Sequence, residues 1–148
     1  MADPVEQFLQ TRNENDLTRM RREVDAAHRY GNHPNVVPVL DFGSTGEWFV
    51  MPLAQDTAGS LPDAIHSDEV LRELITSICH ALREPHQDGW IHRDLKPDNI
   101  LRLGDRWAVA DWGLGRRPRG QTTDPRRTRV GGAFGTEGFA APELCGCR

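Results

Sequence analysis

The sequence predicts a mixed α+β fold, and three observations carry that prediction. Apolar residues recur at helical spacing in two stretches, Leu17, Met20, Val24, Ala27 and then Leu71, Leu74, Ile75, Ile78, Cys79, Leu82. Trp48-Phe49-Val50-Met51 is a continuous apolar run of the length of a buried strand. Ile100 to Leu103 and Arg106 to Ala110 are two short strand-like runs about Gly104-Asp105, a pair of residues suited to a hairpin turn.

In order along the chain, Met1 to Asn13 shows little periodicity and reads as a loose lead-in. Asn15 or Asp16 caps the first helix and Gly31 stops it, with Arg19, Arg21, Arg22, Glu23 and Asp25 on its polar face. His33 to Phe42 is extended and ends in a turn at Gly43 to Gly46. Ser60, Pro62 and Asp63 mark a short helix start. The second long helix begins after Ser67, carries Asp68 and Glu69 in its first turn, and should end or kink at Pro85 before Gly89 closes the segment. Its stripe faces a core, which makes Cys79 a small buried residue. Six arginines with Thr122, Thr123 and Thr128 make Arg116 to Arg129 a basic loop. Gly131 to Gly135 lacks the strand-to-helix context of a phosphate cradle.

Composition excludes several function classes. At 148 residues the chain has the length of one domain, and its net charge of -4 gives no reason to expect nucleic acid or an anionic membrane as partner. No apolar run approaches a membrane span and no signal-peptide core opens the chain, so a cytoplasmic location is expected. Cys145 and Cys147 have no second pair to complete a metal site. Arginine supplies nearly all the positive charge, and Lys96 is the only lysine.

The chemistry concentrates between Ile91 and Gly113. His92-Arg93-Asp94-Leu95 is followed by Lys96 and, five positions after Asp94, by Asn99; Asp111-Trp112-Gly113 comes after the hairpin. Phosphoryl transfer needs a positioned hydroxyl, a base within reach, and cations on the developing charge. Asp94, Lys96 and Asn99 offer these from one short loop, and Asp111 adds a hard oxygen ligand of the kind Mg2+ prefers. Either aspartate alone would read as an ordinary turn residue. The five fixed letters together arise by chance in such a chain on the order of once in twenty thousand, which sets that reading aside.

These residues resemble the catalytic domain of eukaryotic-type serine/threonine protein kinases, and Lys96 two residues after Asp94 is similar to the serine/threonine branch. The resemblance implies a two-lobed kinase-like fold, here truncated at both ends: a lead-in over 1–16, small-lobe helix and strands over 17–54, and a large-lobe portion over 55–148. It implies catalytic roles for Asp94 (base), Lys96 (γ-phosphate) and Asn99, with Asn99 and Asp111 holding Mg2+. ATP would meet Lys96, Met51 at the mouth of the adenine pocket, Pro52 through its carbonyl, Ala54 through its N–H, and Leu101 beneath the ring. Core packing is an equally good reading of Leu101, and without the resemblance Met51 reads as part of a core strand and nothing more. Glu23 would be the acidic partner of the ATP-binding lysine, Arg93 the cation awaiting a phosphothreonine, and Thr136 with Phe139 part of a peptide-substrate ledge before Ala141-Pro142-Glu143. The implied cofactors are ATP and Mg2+, and the implied partner is a protein bearing a Ser or Thr hydroxyl.

Against the family pattern, Trp112 stands for the usual phenylalanine, and Met1 to Asp16 holds neither the glycine-rich loop nor a lysine-bearing strand. The resemblance ends near Glu143, before the helices that complete the large lobe. A second reading, a pseudokinase-like binding or scaffold fragment, follows from the missing lysine. A third, a small-molecule phosphotransferase, is disfavoured by Arg93, Lys96 and Ala141-Pro142-Glu143.

Overall fold

The computed structural model describes the backbone of residues 6–10 and residues 14–61, 67–116 and 136–140. Ser60 lies in a turn, whereas the helix start expected after it, Thr122 to Thr128, Ala141 to Glu143 and the terminal cysteines lie outside the described residues.

Two three-stranded antiparallel sheets and two long helices make up the described chain. Strands β1 (Glu6–Gln10), β2 (Asp41–Phe42) and β3 (Trp48–Pro52) form one sheet in the order β1-β3-β2, beside helix α1 (Glu14–Tyr30). Strands β4 (Asp56–Thr57), β5 (Ile100–Leu103) and β6 (Arg106–Val109) form the other in sequential order, beside helix α2 (Asp68–Gln87). The loose lead-in expected over 1–16 is corrected by β1, which pairs with β3 from Glu6 opposite Pro52 to Gln10 opposite Trp48. Neither propensity nor alternation announces Glu-Gln-Phe-Leu-Gln as a strand; the neighbouring β3 supplies the ladder that makes it one.

The hairpin forms as the sequence predicts, with Gly104 at φ 65°, a left-handed conformation that costs glycine nothing. Both of its faces are buried. Ile100, Trp107 and Val109 belong to the main core with Ala26, Tyr30, Leu74, Ala81, Trp90 and Trp112. Leu101, Ala108 and Ala110 join Val37 in a second cluster against which Met51 and Ala54 pack. The period of two sends alternate residues to opposite cores, which is why the run carries no polar face. Backbone bonds from Val37 to Val109 (3.0 Å) and from Val109 to Asn35 (2.8 Å) tie the extended segment to the hairpin.

Helix α2 departs from expectation in two ways. It buries Leu74, Ala81 and Pro85, while Leu71 and Ile75 are 38% and 51% exposed and Cys79 is exposed rather than buried. The apolar stripe is wider than the surface that covers it. Pro85 also does not end the helix, which runs on to Gln87. In the last turn the missing proline N–H removes one bond only, and the turn is closed by Asp88 donating to the Glu84 carbonyl and Trp90 to that of Pro85.

Candidate active site

The loop from Ile91 to Asn99 is held in place before any side-chain chemistry is considered. Ile91 exchanges both backbone bonds with Arg116, at 3.0 and 2.8 Å. His92 is buried, donates from Nε2 to the Ala110 carbonyl (2.9 Å) and accepts the Asp94 N–H at Nδ1 (3.3 Å). Burial lowers its pKa, so the imidazole stays neutral, as these two bonds require. Arg93 adopts φ 66°, an uncommon conformation for a residue with a Cβ, and its Nε donates to the Leu114 carbonyl at 2.9 Å.

Asp94 sits at the centre of a hydrogen-bonded group. The Thr136 hydroxyl donates to its Oδ1 at 2.8 Å, and the Lys96 ammonium donates to that same hydroxyl at 2.9 Å and lies 3.4 Å from Oδ2. Burial pushes the Asp94 carboxyl up, but the Thr136 hydroxyl and the Lys96 charge outweigh it and hold its pKa below the ordinary value. Asn99, also buried, donates its side-chain N–H to the Asp94 carbonyl at 2.8 Å. That bond uses the amide nitrogen, and the amide oxygen is the group's acceptor. Ala110 donates to the Asn99 carbonyl at 2.9 Å, so the loop and the hairpin exit are joined directly.

Asp111 follows at φ 59°, and the next turn, Trp112–Leu114, buries Trp112 to 1% exposure. The larger ring is accommodated between the His92 imidazole (centroids 4.7 Å apart) and Tyr30 (6.3 Å), on the side where α1 presents Ala26. Glu23 is only 6% exposed and accepts the Asp111 N–H at 3.1 Å, so its assignment to the polar face of α1 is corrected. Burial, with the Asp111 charge adding to it, raises the Glu23 pKa to about 8 against the opposing pull of backbone N–H groups at Trp112, Asp111 and Gly113. Its Oε2 is buried with no hydrogen-bond partner among the described residues.

A cavity of about 270 Å³ opens where these parts meet, lined by Glu23, Met51, Asn99, Leu101, Asp111 and Arg19 among others. Of the residues predicted to bind a cofactor, Met51 and Leu101 line it, while Pro52 ends β3 and Ala54 packs on the second core without lining it. Lys96 and Thr136 stand with Asp94, and Arg93 lies apart with Arg22 and Arg116 near enough to depress its pKa further after burial. A larger cleft of about 420 Å³ lies between α1 and the Gly43–Gly46 turn. It holds none of the predicted residues, and the Arg21 guanidinium beside it is engaged with the Thr45 carbonyl.

The donor set fits Mg2+ better than a transition metal. Asn99 and Asp111 bring hard oxygen ligands to one cavity, and among the described residues no three His, Cys, Asp or Glu side chains are grouped so that together they could hold a metal ion. Two protein ligands with the remainder from water and phosphate is how Mg2+ is ordinarily held. Sequence reasoning missed the burial of Glu23, the Thr136 bridge between Asp94 and Lys96, and Arg19 at the cavity; each depends on segments brought together from far along the chain.

Residues 6–148 match the family described as protein kinase domain. Over 130 residues, 82% of this chain, the sequence is 35% identical to the serine/threonine-protein kinase KSP1 of Saccharomyces cerevisiae. It is 34% identical over 142 residues to the serine/threonine-protein kinase pkn3 of Myxococcus xanthus, covering 88% of this chain. With the serine/threonine-protein kinase PknH of Mycobacterium tuberculosis it shares 37% identity over 139 residues, or 84% of this chain. The chain spans 12%, 26% and 20% of the length of these three proteins. The chain belongs to the protein kinase domain family, and its resemblance is to serine/threonine kinases. Members of that family use ATP and Mg2+ and act on proteins. Among the described residues no helix is long and apolar enough to cross a membrane.

Proposed function

We propose that the protein transfers the γ-phosphoryl group of ATP to a serine or threonine hydroxyl of a protein substrate, with residues 17–54 and 55–148 contributing to the two lobes of the site. The observation that carries this reading is the Asp94–Thr136–Lys96 group: a buried, ionised carboxylate with an ammonium 3.4 Å away. Asp94 accepts the proton of the attacking hydroxyl. Lys96 balances charge on the transferring phosphoryl group, and Asn99 and Asp111 are the residues that would hold Mg2+, which would supply positive charge against that developing on the phosphate. Met51 and Leu101 flank the adenine, with Pro52 and Ala54 offering a backbone acceptor and donor where the chain leaves β3. Arg93, with Arg22 and Arg116, receives a phosphate on a threonine of the 116–129 segment, whose charge would relieve the mutual repulsion of the three guanidinium groups.

The test is transfer of labelled phosphate from Mg-ATP to a mixed-sequence protein substrate. Asp94→Asn should abolish incorporation, and undiminished incorporation would remove the assigned role. One observation favours a second reading, a binding or scaffold protein without catalysis. Strand β1, the neighbour of β3, carries no lysine for Glu23. Such a protein need show no magnesium-dependent thermal stabilisation by ATP.

A further inference from the structure

The cavity beside Asp111 has an electrostatic problem that the sequence alone does not resolve. Glu23, Asp98 and Asp111 bring three carboxyl groups to its lining, and the chain's single lysine is committed to Asp94 and Thr136. A nucleotide triphosphate entering there carries several negative charges, and a divalent cation offsets only part of them. Among the described residues lining the cavity, one is cationic: Arg19.

Arg19 stands four residues before Glu23, one turn earlier on the same face of α1. Its Cβ lies 3.0 Å from the point where a side chain on Gly113 would begin, and Asp111 Oδ1 lies 3.2 Å from that same point. A side chain there would crowd both α1 and the Asp111 carboxylate, so glycine is what allows their close approach. Arg19 is exposed, and its side chain makes no hydrogen bond or ion pair among the described residues, so its guanidinium is available to a ligand. A planar fork of N–H donors suits a phosphate, and its charge persists at every physiological pH.

We infer that Arg19, projecting from helix α1 over Gly113, is a nucleotide-binding residue that supplies the phosphate-directed positive charge absent from strand β1. This rests on the ATP reading of the cavity but assigns a residue that reading did not use.

Titration of the whole chain with ATP and with adenosine, each with Mg2+ present, tests it by calorimetry on the parent protein, Arg19→Gln and Arg19→Lys. Arg19→Gln should bind ATP roughly tenfold more weakly while its affinity for adenosine is unchanged, and Arg19→Lys should recover most of the loss. Equal ATP affinity in Arg19→Gln and the parent overturns the assignment, as does parallel weakening for ATP and adenosine, which would mark a structural effect. If the parent binds neither ligand, the nucleotide reading itself fails and takes this assignment with it.

Discussion

The hydroxyl of Thr136 donates to Oδ1 of Asp94 at 2.8 Å across 42 residues of sequence, while accepting the Lys96 ammonium at 2.9 Å. A residue that sequence reading placed on a substrate ledge therefore touches the candidate base itself. Its hydrogen bond favours the ionised carboxylate, which is the form a base must have.

Replacing Thr136 with Val removes that bond and should raise the Asp94 pKa, because burial is then opposed by Lys96 and the backbone N–H of residue 136 without the hydroxyl. The acid limb of the phosphotransfer pH profile should move up by about one pH unit, while the rate near neutrality, where the carboxyl stays ionised, changes much less; Thr136→Ser should keep the limb close to the parent. A pH–rate profile of the three proteins decides the matter.

Glu23 makes folding stability depend on pH in an unusual direction for a carboxyl group. Its pKa is raised on folding from 4.5 to about 8, so the native state binds the proton more tightly than the unfolded chain. The contribution is fully present below about 4.5 and is lost as pH rises through about 8. Urea unfolding at pH 6 and pH 9, without divalent cations, should show the parent losing on the order of a few kcal/mol more than Glu23→Gln, which has no proton to lose.

Trp112 fills the space between His92, Tyr30 and α1. Trp112→Ala should destabilise the fold by about 3–5 kcal/mol through the cavity it leaves. Trp112→Phe keeps most of the packing and should cost clearly less, because the indole Nε1 has no hydrogen-bond partner to forfeit among the described residues. Thermal unfolding of the two variants gives the comparison directly.

Two glycines separate strain from crowding. Gly104 has a left-handed φ and open space around its missing Cβ, so Gly104→Ala should cost about 1 kcal/mol of stability and leave ligand binding untouched. Gly113 lacks that backbone constraint, but a methyl there would meet Arg19 and Asp111. Gly113→Ala should accordingly weaken Mg-ATP binding more than it lowers the unfolding temperature.

Much of the site was legible because its parts are close in sequence. Asp94, Lys96 and Asn99 share one loop, and the Gly104-Asp105 turn returns the chain so that Asn99 and Ala110 meet. The helical stripe likewise located α2, although not which of its residues would be covered. What stayed hidden depends on distant pairings. Glu23 looks solvated among its arginine neighbours, and its partners are backbone N–H groups from Asp111 onward, 88 residues away. Strand β1 has no signature of its own and exists through β3.

The central claim is that the chain gathers around the phosphates of bound Mg-ATP at Asp94, Lys96, Asn99 and Asp111. An acyl-phosphate derivative of ATP delivers its acyl group to an amine beside the bound phosphates, and Lys96 is the only lysine in the chain. Mass spectrometry should find Lys96 acylated, with labelling suppressed by excess Mg-ATP and reduced in Asp111→Ala. An unlabelled Lys96, or labelling that excess Mg-ATP leaves unchanged, would contradict the account.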